Sequence, residues 1–151
     1  MAERTEKHVS DSFTTQVQLL TQANLNGYSR LFGGQLMSWM DIVAAVTARR
    51  HAGTNVTTAR VQNLSFRAPA RANDTLVLTG EVVYTGRTSM DIRVCCYLEL
   101  LDGEQELINE AFFTMVALDE KEKPVMIPRL IIDSEEQQRL WDEAAERRKT
   151  R

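Results

Sequence analysis

The sequence predicts an α+β fold, a curved antiparallel sheet wrapped around one long central helix, with a second helix at the C-terminus. Three observations carry this. From about Gly33 to Ala52 the chain is apolar nearly all round at helical spacing, as a helix inside a core must be. Four long segments rich in β-formers follow, and turn residues separate the last three, which is the pattern of a meander. A lone apolar helix and a sheet with one apolar face each need the other for cover.

Each element has its own signal. Ser12 to Leu20 alternates, with Phe13, Thr15, Val17 and Leu19 on one side and Thr14, Gln16 and Gln18 on the other, a half-buried strand. Thr21 to Arg30, polar and holding Asn24, Asn26 and Gly27, reads as a loop. The helix places Leu36, Met40, Val43 and Thr47 on one stripe. Arg49, Arg50 and His51 suit the negative end of its dipole, and Gly53 is its stop. Strands are expected over Thr54–Phe66, Thr75–Tyr84, Thr88–Leu101 and Leu107–Leu118, with turns at Gly86 and at Asp102-Gly103. Pro124 and Pro128 bracket an extended segment. Ser134-Glu135-Glu136-Gln137 opens the last helix, whose basic end Arg147-Arg148-Lys149 is expected to be solvated. Residues 1–151 are thus read as one domain, with a core over about 12–118 and an extended segment and helix over 119–151. Such a sheet covers only part of its helix, and an open edge strand invites pairing with a second copy.

Composition narrows the function. The chain has 151 residues and a net charge of -3, so it lacks the basic footprint of a nucleic-acid binder. No run approaches the roughly 18 apolar residues of a membrane span. The start, Met1 to His8, is polar and has no signal core. Cys95 and Cys96 are adjacent, and neighbouring strand side chains point to opposite faces, so a bridge between them is not expected. His8 and His51 stand far apart and form no metal-ligand spacing; neither is given a role. A cytoplasmic protein without membrane or nucleic-acid partners is the expectation.

The chemistry centres on Asp41, an acid in the apolar middle of the helix, where aspartate is a poor helix former and a buried charge is costly. Gly33 and Gly34 at the helix start allow close approach, and the free N–H groups there suit an oxyanion. About two turns on, Asp41 returns to the face of Gly34, an arrangement suited to attack on a carbonyl. The bland alternative makes Asp41 a structural acid paired with Arg49 or Arg60. Arg87, Thr88 and Ser89 form a turn that can meet phosphates, or a plain hairpin turn. Asn63 and Phe66 are candidates to line an acyl site, although Phe66 also fits a core. Trp39, Met37 and Met40 read as core or as contacts between copies.

The stretch Leu25-Asn-Gly-Tyr-Ser-Arg-Leu-Phe-Gly-Gly-Gln-Leu-Met-Ser-Trp-Met-Asp41 resembles the signature of hotdog-fold acyl-CoA thioesterases. Phe66-Arg-Ala-Pro69 and the following Asn73-Asp74 resemble that family's Phe-x-x-Pro and Gly-Asp, with Asn73 in place of glycine. Gly86-Arg-Thr-Ser-Met90 resembles its Gly-x-Thr-Ser turn, and the match spans about residues 12–118. The resemblance implies a hotdog fold and hydrolysis of acyl-CoA. Asp41 would be the catalytic acid, as general base or nucleophile, and Asn26 the catalytic asparagine. Asn24 is a rival, because Asn24-x-x-Gly27 also fits. Gly34 would donate to the oxyanion, with Phe32 and Gly33 beside the substrate. It further implies a homodimer whose sites take asparagine and aspartate from different subunits, assembled further into a hexamer, a trimer of dimers. No metal or redox cofactor is expected, coenzyme A being part of the substrate. A non-catalytic acyl-CoA-binding or sensing role is the alternative. A hotdog dehydratase would want a histidine that no motif here supplies. Acyl-chain length, and coenzyme A against acyl-carrier protein as the handle, stay open.

Overall fold

The computed structural model describes residues 4–150, so Met1 to Glu3 of the polar start lie outside it. A short strand β1 (Glu6–His8) leads into one helical turn, α1 (Val9–Ser12), and strand β2 (Thr14–Leu19). After a 3-10 turn (Gln22–Asn24) comes the long helix α2 (Gly33–Ala52). Strands β3 (Asn55–Phe66), β4 (Thr75–Thr85), β5 (Ser89–Glu99) and β6 (Gln105–Leu118) follow, then β7 (Arg129–Ile131) and α3 (Glu135–Lys149). The main sheet is antiparallel in the order β2-β4-β5-β6-β3, while β1 and β7 pair in parallel as a separate two-stranded sheet.

The concave face of the sheet holds α2. Leu36, Trp39, Met40, Val43, Ala44 and Ala48 pack against Leu78, Ile92, Phe113 and Met115 in one core. Trp39 and Met40 are therefore core residues, and Met37 packs beside them half-buried. Close approach of helix to sheet depends on Gly80, where a Cβ would collide with Thr47 and Val43. Gly53 ends the helix at φ 72°, and its N–H donates to the Arg49 carbonyl, the glycine stop expected of it. Asn73, standing where the family shows glycine, takes φ 71°, a left-handed conformation that asparagine tolerates best after glycine.

Four features depart from expectation. First, β2 turns its apolar side outward. Thr14, Gln16 and Gln18 pair with Gly80, Leu78 and Leu76, whose side faces the helix, so Val17 and Leu19 lie on the convex face, each 61% exposed. Cross-strand partners share a face, and β4 therefore dictates the orientation of this edge strand. Second, β1 and α1 form in and just after a start expected only to be polar, and β1 pairs with β7, which follows the extended segment bracketed by Pro124 and Pro128. Third, the basic end of α3 is solvated only at Lys149, while Arg147 and Arg148 are packed against the sheet. The helix packs Leu140 and Ala144 on Val83 and Phe112 of the convex face, and Trp141 stacks near Tyr84 at 4.4 Å between ring centres. Arg147 sits over the Phe112 ring, and Arg148 pairs with the buried Asp91 at 3.0 Å. Fourth, both histidines have partners: His8 Nδ1 meets Asp133 at 2.7 Å, and His51, buried, meets the Pro128 carbonyl at 2.8 Å. Burial holds the His51 pKa below its ordinary value.

Candidate active site

Asp41 is where the sequence placed it on the helix, and its surroundings are not those expected. Its side chain is exposed in the single chain, because it lies on the side of α2 that the sheet leaves uncovered. No ion pair joins it to Arg49 or Arg60 among the described residues, and the Arg49 guanidinium reaches Asn55 instead. Its partner is the hydroxyl of Thr58 on β3, which donates to Asp41 Oδ1 at 2.7 Å. That bond fixes one oxygen and leaves the other free to accept a proton. Ile42, next along the helix, is also half exposed. An acid, an apolar neighbour and an open strand on one side of the molecule mark a surface that its own chain does not finish.

The start of α2 holds the other candidate residues. Gln35 and Leu36 N–H both donate to the Phe32 carbonyl, so the N–H groups of Gly33 and Gly34 precede the first internal bonds of the helix. No side chain caps them. The Phe32 ring lies against Gly34, where a Cβ would come 2.7 Å from its Cε1. With any larger residue at Gly34 the half-exposed Phe32 ring has to shift.

The two candidate asparagines separate cleanly. Asn24 Oδ1 accepts from the Thr21 N–H and hydroxyl, capping the 3-10 turn, which is a structural duty. Asn26 Oδ1 accepts from the Tyr28 and Arg30 N–H groups at 2.8 and 3.3 Å, which pins the side chain and leaves its amide NH₂ as the outward donor. Asn26 also borders a cavity of about 320 Å³ beneath the helix start, with Leu31, Leu36, Phe66, Pro69 and Ile108 among its walls. Phe66 is 59% exposed and belongs to this cavity, not to the core. Asn63, at φ 54° beside a bulge in β3, is exposed nearby on the same strand.

In one chain these halves stay apart. Thr58, with Asp41, and Phe66, with Asn26, stand toward opposite ends of β3, about 25 Å of extended strand less what two bulges take up. Arg87, Thr88 and Ser89 lie elsewhere, on the turn between β4 and β5, where the Gly86 N–H donates to the Ser89 carbonyl. A second, more open groove of about 870 Å³ runs past Arg49, Asn55 and Leu118 at the far end of α2. Among the described residues no group of His, Cys, Asp or Glu is arranged to hold a metal ion, and no helix is long and apolar enough to cross a membrane. Thr58 escaped the sequence reading. It is one of several threonines in its strand, and nothing in their order marks the one that meets the acid.

Residues 28–99 match the thioesterase superfamily. The uncharacterized acyl-CoA thioester hydrolase YkhA of Bacillus subtilis is 37% identical over 123 residues, covering 81% of this chain and 72% of that protein. The chain belongs to the hotdog-fold acyl-CoA thioesterase family. A crystal structure of a hexameric acyl-CoA thioesterase superposes on this thioesterase with a TM-score of 0.92 at 37% identity, covering 97% of this chain and 94% of the other. The acyl-CoA hydrolase of Staphylococcus aureus, solved with butyryl coenzyme A, coenzyme A and coenzyme A disulfide, gives a TM-score of 0.90 at 30% identity over 96% and 91% of the two chains. Some mammalian thioesterases that also match are longer, and this chain spans 23% of one and 36% of another. Hotdog topology thus accounts for the sheet order and the enclosed helix of this thioesterase.

Proposed function

We propose that this chain hydrolyses acyl-CoA thioesters to the free acid and coenzyme A, at sites that exist only when two copies pair. The observation that carries the reading is the placement of Asp41–Thr58 and of Asn26 toward opposite ends of β3, an open antiparallel edge. When two such edges pair about a two-fold axis, the Phe66 end of one strand meets the Thr58 end of the other. Asn26 of one copy then faces Asp41 of its partner, and two equivalent sites form.

At each site the thioester carbonyl points at the Gly34 N–H and the Asn26 amide, donors placed for the developing oxyanion. Asp41 takes a proton from an attacking water, or attacks and is released by water. The carbon–sulfur bond breaks and the thiolate of coenzyme A leaves with a proton. Thr58 keeps the carboxylate in one orientation. The cavity beside Asn26 offers apolar room for the acyl group. This chemistry calls for no metal or redox cofactor.

Three positions replaced by alanine in separate structures of the Staphylococcus aureus enzyme, an asparagine, an aspartate and a threonine, have the same mutual spacing along the chain as Asn26, Asp41 and Thr58. That spacing supports Asn26 over Asn24. Hexameric relatives support three dimers per particle, and residues 1–151 serve as one hotdog unit. Two free buried thiols suit a reducing cytoplasm and a place in acyl-lipid turnover.

The test follows thiol release from short acyl-CoAs by wild type and Asp41→Ala. A fall of about a thousandfold, with melting temperature and oligomer unchanged, is expected from loss of a general base or nucleophile. Full turnover in the folded variant would overturn the assignment. Tight binding of acyl-CoA without turnover by wild type would mark a sensing module instead.

A further inference from the structure

One buried amide stands unanswered next to the walls of the cavity beside Asn26. Asn109, on β6, is 1% exposed, and neither its amide nitrogen nor its amide oxygen has a hydrogen-bond partner. Turning the amide over exchanges the two atoms and satisfies neither. Other buried polar side chains are answered: the Thr47 hydroxyl donates to the Val43 carbonyl, the Thr114 hydroxyl donates to Asp91, and His51 Nε2 meets the Pro128 carbonyl. The Ser12 hydroxyl is unanswered too, but α1 takes no part in the cavity walls. A buried amide without a partner costs free energy, and a group of this kind is met by something from outside the chain or marks a site of function.

The register places this amide. Cross-strand partners share a face, and Phe66, Asn109, Cys96 and Leu78 form one row across β3, β6, β5 and β4, on the helix side of the sheet. Phe66 lines the cavity, and so does Ile108, the residue before Asn109. Asn109 therefore has one cavity wall across the strands and another along the chain. On its other side the Cys96 thiol, pushed up to about 12 by burial, stays protonated, so the row carries no charge. Arg30 and Arg67, the charged residues of the walls, are both exposed. Phe66 is more than half exposed, and its ring has room to swing aside and open Asn109 to the cavity.

We propose that Asn109 is a specificity-determining residue of the acyl site: with Phe66 turned aside, its amide hydrogen-bonds a neutral oxygen, a hydroxyl or a ketone, carried on the acyl chain. The proposal rests on the thioesterase reading above, which lays the acyl group in this cavity. The class of oxygen follows from the surroundings. The amide both donates and accepts, and no cation stands in its row to answer a carboxylate. Leu31, Leu36 and Ile108 hold the rest of the chain. A plain alkyl chain in the same place leaves the amide unanswered, and a site built to hydrogen-bond an oxygen rejects the analogue that lacks it.

The experiment measures kcat/KM on hexanoyl-CoA, 3-hydroxyhexanoyl-CoA and 5-oxohexanoyl-CoA for wild type, Asn109→Leu and Asn109→Ala, with melting temperatures alongside. Wild type should favour one of the oxygenated esters over hexanoyl-CoA by about tenfold or more. Asn109→Leu, close in shape and without polar side-chain atoms, should lose that preference, gaining on hexanoyl-CoA and falling on the oxygenated ester. Its melting temperature should equal or exceed that of wild type, because the unanswered amide is gone. Asn109→Ala removes the amide without filling its place and repeats the test if leucine does not fold. A wild type that treats the three esters alike, or favours hexanoyl-CoA, would overturn the proposal. So would a preference that survives in a folded variant; with a lowered melting temperature, that result would make Asn109 the seat of a structural water. If wild type hydrolyses none of the esters, the thioesterase reading fails by itself. Calorimetric affinities of the same esters then decide the amide site: a preference for the oxygenated ester that Asn109→Leu abolishes would support it, and equal affinities would sink it.

Discussion

The two faces of this molecule are finished to different degrees. On the convex face α3 lies over β4 and β6 and leaves the edge strand β2, with Val17 and Leu19, uncovered; Arg147 covers Phe112, and Arg148 answers the buried Asp91, which Thr114 also supports at 2.8 Å. On the other side, α2 shows Asp41 and Ile42 to solvent, and β3 carries Val61, Leu64 and Phe66 along an unpaired edge. The first face spends its charges internally. The second leaves its acid held by one hydroxyl and its apolar side chains uncovered. On the proposed reading, the contrast separates what the chain needs for folding from what it keeps for a second copy and a substrate.

The sharpest way to break this comparison is to mix two dead proteins. Asn26→Ala and Asp41→Ala should each be inactive alone. After their dimers exchange, half of the pairs should be mixed, each holding one intact site, so about a quarter of wild-type turnover should return. No recovery after proven exchange would mean that acid and asparagine act within one chain. Next in size is Val61→Lys near the middle of β3, which sets like charges against each other across the two-fold axis. Sedimentation should show monomers with native circular dichroism and no thiol release; an active monomer would refute the shared site.

On the convex face, Arg148→Met should leave Asp91 buried without its cation and destabilise the fold by about 3 kcal/mol. Asp91→Asn added to it should recover part of that loss. Denaturant melts that show no change would mean that α3 is not held by this pair. Thr58→Val should cost tenfold or somewhat more in kcat, the scale of one hydrogen bond to a charged group, with little change in stability. The smallest effect concerns His8. Its bond to Asp133 raises its pKa above the ordinary 6.5, so the stability from the pair is full below that value and is lost as the pH rises through the raised one. A slight fall in Tm across that window, absent in His8→Gln, is expected; an identical pH profile for the two proteins would remove the pair from the account.

Much of this was legible in the sequence where local chemistry decides structure. The helix from Gly33 to Ala52, its stop at Gly53, the Ser134 cap and the four long strands follow from periodicity and from the conformational limits of a few residues. The rest depends on partners far away in the chain. Nothing in Thr14 to Leu19 announces that β4 will turn its threonine and glutamines inward. Arg148 looks like any solvated helix end until the fold sets Asp91 beneath it. Asp41 reads as buried because its helix is apolar all round, yet the sheet covers only one side of that helix. Asn26 and Gly34 stood out by motif, whereas Thr58 and Asn109 owe their places to what the fold sets beside them.

The separation of Asn26 from Asp41 along β3 also has a genetic reading. If the sites are shared between copies as proposed, then in a cell making equal amounts of normal chain and of chain lacking either residue alone every mixed pair keeps one working site, and output falls in proportion to dose. A chain lacking both residues disables both sites of every pair it joins. Two lesions in one gene copy are then dominant in a way that neither is alone, leaving about a quarter of full output, and the same two lesions on opposite copies compensate each other only up to that same quarter.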